Sequence, residues 1–375
     1  MASDQVLPGR TGGSVHVLEV ARGLAARGHE LHAVVSAEAG RPAREDDQPG
    51  VVFHRIRWQP FHRFARFRAL PQVLALVDQL RPDALMERYY NFAGEGVRAA
   101  ARRGLPSLLE VNAPLIDHPG SLKGALDALL LVHPMRRYRE GLCRAASALV
   151  APLVEIVPEF ARAKTELVSW GANVQAFAPE RRSEAVRREL GIPDGALAVV
   201  FSSSFRPWHG AHVLRAAARS LRERSELYFV LLGGDGHGPA RDFRGIELGR
   251  VAYERMPELL AACDIGVAPY DCARLPQLAL GFFWSPLKIF EYMASGLPTI
   301  TLARPPLDEI VRPEHEGLSM RDGDPVSLAE AIVRLADHAG LRTRLGAAAR
   351  ARVVERYSWA KHVEQLERVL ERIAA

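Results

Sequence analysis

Short apolar runs alternate with longer segments of helical period along this chain, and the alternation occurs twice. The first set runs through the helical VHVLEVARGLAARG, the strand-like ELHAVVS, LPQVLALVDQL, DALMER, a helix from Ala93 to Arg103, LPSLLEVN, a helix from about Pro134 to Ala146, and SALVAPL. A charged stretch, PERRSEAVRRELG, interrupts the pattern beyond Phe177. The second set begins with ALAVVFSSS and continues through HVLRAAARSL, LYFVLLGG, MPELLAAC, DIGVAPY, KIFEYMAS, LPTITL and PVSLAEAIVRLADH. Runs of this kind suit strands buried on both faces of a parallel sheet, with helices as crossovers. The pattern therefore predicts an α/β protein of two doubly wound, Rossmann-like domains, joined by a linker near residues 178 to 190. The expected boundaries are 1–180 for the first domain and 181–355 for the second.

At 375 residues the chain can bury two separate cores. It has no run of eighteen apolar residues and no basic, apolar, small-residue leader at its start, so the expected location is the cytoplasm. Cys143, Cys263 and Cys272 lack metal-ligand spacing and sit in apolar segments, which reads as packing by reduced thiols. The net charge of +5 is modest and dispersed, with no interleaving of aromatic and basic residues, and this argues against nucleic acid. It is compatible with weak peripheral attraction to the anionic inner face of a membrane, or with phosphorylated ligands.

Basic chemistry in this sequence is almost entirely arginine, and Lys288 is one of four lysines. It lies in WSPLKIFEYMASG, where Pro286 is placed to open a helix. A cation in the first turn opposes the helix dipole unless an anion lies close by, and the unpaired N–H groups of a helix start favour that anion. Glu291, three residues on, shares a helix face with Lys288. A carboxylate there can accept two hydrogen bonds from a cis-diol such as a ribose. The same two residues can also form a plain solvated pair on an amphipathic helix. FSSSFRPWHG, from Phe201 to Gly210, offers a second strand-to-loop-to-helix edge, with Arg206 able to fork onto phosphate oxygens. LLGGDGHG lacks the GxGxxG spacing of a dinucleotide fingerprint.

In this order, TGGSVHVLEVARGLAARGHEL, LEVNAPL, WGANVQAFAP, SFRPWHG, LGRVAYERMPELLAACDIGVAPY and SPLKIFEYMASGLPTI resemble the retaining glycosyltransferases of family four. The resemblance covers most of the chain. It implies the GT-B fold, two Rossmann-like domains facing across a cleft and closing over the donor, with a last helix (356–375) returning to the first domain. It also implies transfer of a sugar from a nucleoside-diphosphate sugar to an acceptor, which could be a polysaccharide, a lipid or a small molecule. No cofactor is expected beyond the donor, and no metal, since no Asp-x-Asp or histidine cluster stands out.

Carried over residue by residue, the resemblance makes Arg206 and Lys288 the catalytic cations at the donor diphosphate. His209 stands where the family usually has a second lysine. If His209 takes over that role, donor affinity should rise as pH falls from about 7.5 towards 6. Gly210 closes the same loop. Ser285, Pro286 and Leu287 would lie against the phosphates, with Leu287 offering an N–H, and Glu291 would hold the ribose. Phe283 falls where a glutamate usually touches the donor sugar. Arg250 and Val251 match the loop under the nucleotide base, and Gly12 and Gly13 match the glycine-rich loop that approaches the donor. Asn112 occupies the end of the strand where a histidine is common. His16 is either an acceptor-side residue or a helix-surface histidine.

Family members place a strand directly before the turn PGRTGGS, but here only the short, polar MASDQV precedes it. The expectation is that this first strand is missing, with Met1 to Arg10 irregular and ELHAVVS the first long strand. Two other readings compete with a transferase: a non-catalytic nucleotide-sugar-binding or partner subunit, and a sugar-nucleotide epimerase. A nicotinamide dehydrogenase lacks its fingerprint.

Overall fold

The computed structural model describes residues 1–7, 11–56, 69–89, 93–118, 120–284 and 286–375. The chain divides into two units, each with its own sheet. The first unit comprises Met1–Trp170, Phe283, Trp284 and Trp359–Ala375, and the second Gly171–Phe282 and Pro286–Ser358.

The first unit holds eight strands: β1 (Ala2–Val6), β2 (Leu31–Ser36), β3 (Arg44–Gln48), β4 (Val51–Ile56), β5 (Leu85–Tyr89), β6 (Ser107–Val111), β7 (Ala148–Ala151) and β8 (Thr165–Leu167). Their order across the sheet is β3-β4-β2-β1-β5-β6-β7-β8. Neighbours are parallel except β3 and β4, whose hairpin puts the charged strand REDDQ at the edge. The helix Gly12–Ala26 buries Val15, Val17, Val20, Ala21 and Leu24, the face set by its 3.6-residue period. The C-terminal helix Trp359–Ala374 packs in the same core through Val363, Leu366 and Val369.

The start of the chain departs from expectation. MASDQV is not irregular: β1 occupies an inner position of the sheet, pairing Ala2 with Val34 of β2 and with Glu87 of β5. Val34 N–H donates to the Met1 carbonyl at 2.8 Å. Polarity misled the reading because ladder pairing uses backbone groups, and the side chains here are small or find partners. Ala2 and Ser3 are buried, the Ser36 hydroxyl donates to the Asp4 carbonyl at 2.8 Å, and the Gln5 Oε1 accepts from the Thr11 hydroxyl at 2.9 Å. Leu7 then fills the core directly after the strand. Pro8, Gly9 and Arg10 lie outside the described residues.

The second unit has six strands: β9 (Leu197–Ser202), β10 (Leu227–Pro239), β11 (Gly245–Gly249), β12 (Ile265–Val267), β13 (Thr299–Leu302) and β14 (Gly317–Met320). They are ordered β11-β10-β9-β12-β13-β14, a parallel sheet throughout with an irregular register at the end of β10. The strand reversal between β9 and β12 is the topological switch point at which open α/β sheets take ligands, beyond the carboxyl ends of the strands. The segments after β9, β11 and β12, and the helix Leu287–Ala294 that precedes β13, supply the residues considered next.

Candidate active site

The loop after β9 is fixed before any ligand arrives. Ser203 N–H continues the ladder onto the Leu232 carbonyl at 2.8 Å, and the Ser203 hydroxyl accepts from Phe205 N–H at 3.1 Å while meeting His209 Nδ1. Gly233 makes this possible, since a Cβ there would come within 1.8 Å of the Ser203 carbonyl oxygen. Gly210 ends the loop at φ +80°, with the space for a Cβ only 1.6 Å from the Pro269 carbonyl oxygen, so only glycine fits. The Trp208 indole stacks on Tyr270 at 5.8 Å, tying the loop to the segment after β12. Within this frame Arg206 is exposed, and its guanidinium has no hydrogen-bond or ion-pair partner among the described residues.

Lys288 enters from the first turn of the helix Leu287–Ala294. Pro286 sits at the N-cap rather than inside the helix, and Leu287 supplies the first helical N–H. Ser285 lies outside the described residues. The lysine stem is partly exposed, yet Nζ is shielded from solvent and makes no hydrogen bond among the described residues. It rests 4.7 Å from the centroid of the Phe201 ring and 5.2 Å from that of Tyr270, so cation–π attraction is its main support. Burial brings its pKa down to about 7, against the opposing pull of Glu291.

Glu291 is buried and accepts from the Tyr253 hydroxyl at 3.0 Å. Burial raises its pKa to about 7, with the Tyr253 bond and Lys288 working in the other direction. The solvated Lys288–Glu291 pair is therefore not what forms: each is removed from water, and they influence one another without a hydrogen bond. His209 is held far below the ordinary histidine range, first by burial and then by the nearby charges of Lys288 and Arg206. It stays neutral across the physiological range in the free protein, so a gain in affinity from protonating it requires a bound diphosphate to raise its pKa. Arg206, His209 and Lys288 thus meet in one place, as the sequence suggested.

Arg250 is 86% exposed along its side chain and its contact is a 4.0 Å approach to the exposed Asp235, a solvated pair of little energetic weight. Val251 is partly buried. The residue that the loop after β11 delivers to the site is Tyr253, which no periodicity or charge pattern singled out. Phe201 and Tyr270 were equally hidden, because strand-end aromatics read as core.

In the first unit, Gly12 and Gly13 open the helix Gly12–Ala26, whose start is capped by the Thr11 hydroxyl accepting from Ser14 N–H at 3.1 Å. This leaves their own N–H groups without intrahelical partners. Asn112 follows β6 and is buried, its Nδ2 donating to the Glu110 carbonyl at 3.3 Å. His16 is neither on the helix surface nor open to a ligand. It is fully buried, stacked on Trp170 at 4.3 Å, with Nε2 at 2.8 Å from Glu110 Oε1 and 3.2 Å from His362 Nε2. The helix turns this residue inward because it falls in register with Val15, Val20 and Leu24.

Among the described residues, His16, Glu110 and His362 form a group with metal-ligand potential. The arrangement fits an internal proton network better. His362 donates Nδ1–H to the Ser169 carbonyl at 2.9 Å, leaving its Nε2 as an acceptor, and the single His16 Nε2–H is shared between Glu110 Oε1 at 2.8 Å and His362 Nε2 at 3.2 Å. Metal bound at His16 Nε2 would put a proton on Nδ1, which has no partner among the described residues in its buried setting. Burial alone would raise the Glu110 carboxyl, but His16 and Arg88 hold it ionised, at about 2, while burial pushes His362 down to about 4.

Comparison with known proteins agrees with this architecture. Residues 11–164 match the model of a glycosyl transferase 4-like domain, and residues 196–338 match that of glycosyl transferases group 1. The chain is 27% identical over 398 residues to the D-inositol 3-phosphate glycosyltransferase of Streptomyces scabiei, covering 94% of this chain and 84% of that one. It is 26% identical to the enzyme of the same name from Stackebrandtia nassauensis, covering 96% and 86%. Among solved structures, sucrose-phosphate synthase from Thermosynechococcus elongatus superposes with a TM-score of 0.75 at 18% identity, over 99% of this chain and 97% of that one. The Anabaena protein HepE in complex with UDP-glucose gives 0.70 at 16% identity, over 99% and 98%. With a family model on each half of its length and this fold throughout, the chain belongs to the family four glycosyltransferases of GT-B fold.

Proposed function

We propose that this glycosyltransferase moves a sugar from a nucleoside-diphosphate donor to an acceptor hydroxyl with retention of anomeric configuration, and that Arg206, Lys288 and the Leu287 N–H carry the departing diphosphate. One observation supports this above the others: Lys288 Nζ is withdrawn from water without a hydrogen-bond partner among the described residues, beside Arg206 and a neutral His209. An amine so placed destabilises the free protein and gains strongly from a bound anion. Departure of the diphosphate builds negative charge where these groups point, so they stabilise the transition state more than the ground state. Glu291, oriented by Tyr253, takes the ribose hydroxyls. His209 contributes a neutral polar contact and not a charge.

The reaction needs no metal on this reading. A divalent ion beside Lys288 and Arg206 would be repelled, and Glu291, the carboxylate that acts on Lys288, is already bonded to Tyr253. HepE was solved with UDP-glucose and the sequence relatives are named for D-inositol 3-phosphate, so these are the first donor and acceptor to try. Thermal stabilisation by a panel of nucleotide sugars identifies the donor. Product from the matching donor and an acceptor, analysed for anomeric configuration with and without a chelator, tests the rest. An inverted product, or loss of turnover on chelation, overturns the reading.

A further inference from the structure

The first unit carries a helix whose polarity is reversed. In Leu122–Leu130 the buried residue is its one acid, Asp127, whose carboxylate accepts from Met135 N–H at 2.8 Å and Arg136 N–H at 2.7 Å and so caps the helix Pro134–Ala145. The leucines point the other way: Leu122 is 87% exposed and Leu129 78%, with Leu126 and Leu130 beside them at i, i+4 and i, i+8 spacing. Leu131, 81% exposed, and Val132 continue the apolar surface over a turn in which Leu131 takes a left-handed φ of 55°. Among the described residues, six of the ten exposed large hydrophobic side chains fall in these eleven positions, so the exposure is concentrated and not the scatter of an ordinary surface.

Charge identifies what covers this face. The residues that follow the apolar turn are His133, Arg136 and Arg137, all exposed. Arg137 has no ion-pair partner among the described residues. The acids nearby are already committed: Asp127 to backbone N–H groups, Asp117 to Arg139, and Glu140 to Arg136 and Arg144. A short helix with an apolar face and a cationic rim suits the boundary between acyl chains and anionic headgroups. No helix among the described residues is long and apolar enough to cross a membrane, so the contact is lateral.

We propose that the face formed by Leu122, Leu126, Leu129, Leu130, Leu131 and Val132 docks this protein on an anionic lipid bilayer, with Arg136 and Arg137 at the headgroups. The surface is independent of the donor site, which lies in the other unit, and the proposal stands or falls apart from the catalytic reading.

Flotation of the full-length protein with phosphatidylcholine vesicles, with or without phosphatidylglycerol, tests it. The wild type should float with the anionic vesicles, and less so at high salt. Leu122→Ser/Leu129→Ser should lower that partition by about tenfold or more, because each exposed leucine contributes apolar area to insertion. Arg136→Gln/Arg137→Gln should remove the preference for phosphatidylglycerol. Serine at exposed positions leaves the core intact, and an unchanged melting temperature and unchanged nucleotide binding verify this for each variant. Failure of the wild type to float, equal flotation of the leucine variant, or a concentration-dependent dimer that the leucine variant abolishes would each overturn the proposal, the last by showing a protein contact.

Discussion

Two buried polar clusters, one in each unit, are built from similar side chains and behave in opposite ways. In the first unit His16, Glu110 and His362 are packed among Trp170 and Trp359 and bond to one another and to the Ser169 carbonyl, with only His16 Nδ1 and Glu110 Oε2 of the three left without a partner among the described residues. In the second unit Lys288, Glu291 and His209 sit among Phe201, Tyr270 and Trp208, and the ammonium has no hydrogen bond among the described residues. Burial of a polar group is tolerable when its partners are internal, and it becomes a binding site when the missing partner must come from outside. The comparison separates a histidine that holds a core together from a lysine kept short of its counter-ion.

The largest expected effect lies on the first cluster. Glu110→Ala should cost about 3 kcal/mol of folding stability, because it leaves the buried His16 N–H without the carboxylate that accepts from it. Chemical denaturation followed by tryptophan fluorescence measures it, and a loss below about 1 kcal/mol would mean that the network is incidental.

Lys288→Ala should do the reverse, lowering kcat/KM by roughly 10²–10³-fold with little harm to stability, and Arg206→Ala should lose about 10²-fold. Lys288→Met sharpens the contrast. The folded-state pKa of Lys288 is about 7, below its ordinary 10.5, so the unfolded chain binds more protons between those values. Stability from this group therefore rises with pH across that window and is withheld at pH 7. The methionine variant should melt higher than the wild type near neutral pH while being inactive. A variant that melts lower would show that the ammonium is satisfied in the free protein.

Nucleoside diphosphate raises the Lys288 pKa by supplying the absent anion, so binding above about pH 7 should take up a proton. Affinity should then weaken with rising pH by up to roughly tenfold per unit. Calorimetry in two buffers of different ionisation enthalpy reads the uptake directly. Lys288→Arg should abolish it and His209→Gln should not, which distinguishes the lysine from the histidine as the titrating group.

Tyr253→Phe is the mildest test. Losing one hydrogen bond to the Glu291 carboxylate should weaken donor binding by about tenfold, seen in KM more than in kcat. An unchanged KM would separate Glu291 from the ribose.

Much of this was legible beforehand where the information is local. The β9 run LAVVFS, the glycine after SFRPWH and the Lys288–Glu291 spacing on one helix each follow from neighbours within a few residues. β1 was missed for the complementary reason: its place in the sheet comes from backbone pairing with β2 and β5, and side-chain polarity carries no signal of that. His16 was misplaced because its partners lie far along the chain, His362 being 346 residues away.

The sequence by itself determined the α/β class, the division into two repeats of strand and helix, and the identity of the cations that could meet a phosphate. Periodicity, turn chemistry and motif spacing are properties of short stretches, and they survive without knowledge of the fold. Only the tertiary structure decided which of those groups are short of a partner. Tyr253 reaches Glu291 from 38 residues away, and Phe201 and Tyr270 close on Lys288 from separate strand ends. Desolvation and charge pairing depend on everything that packs around an atom, so a lysine in a helix becomes a diphosphate-seeking ammonium only when distant strands are brought against it.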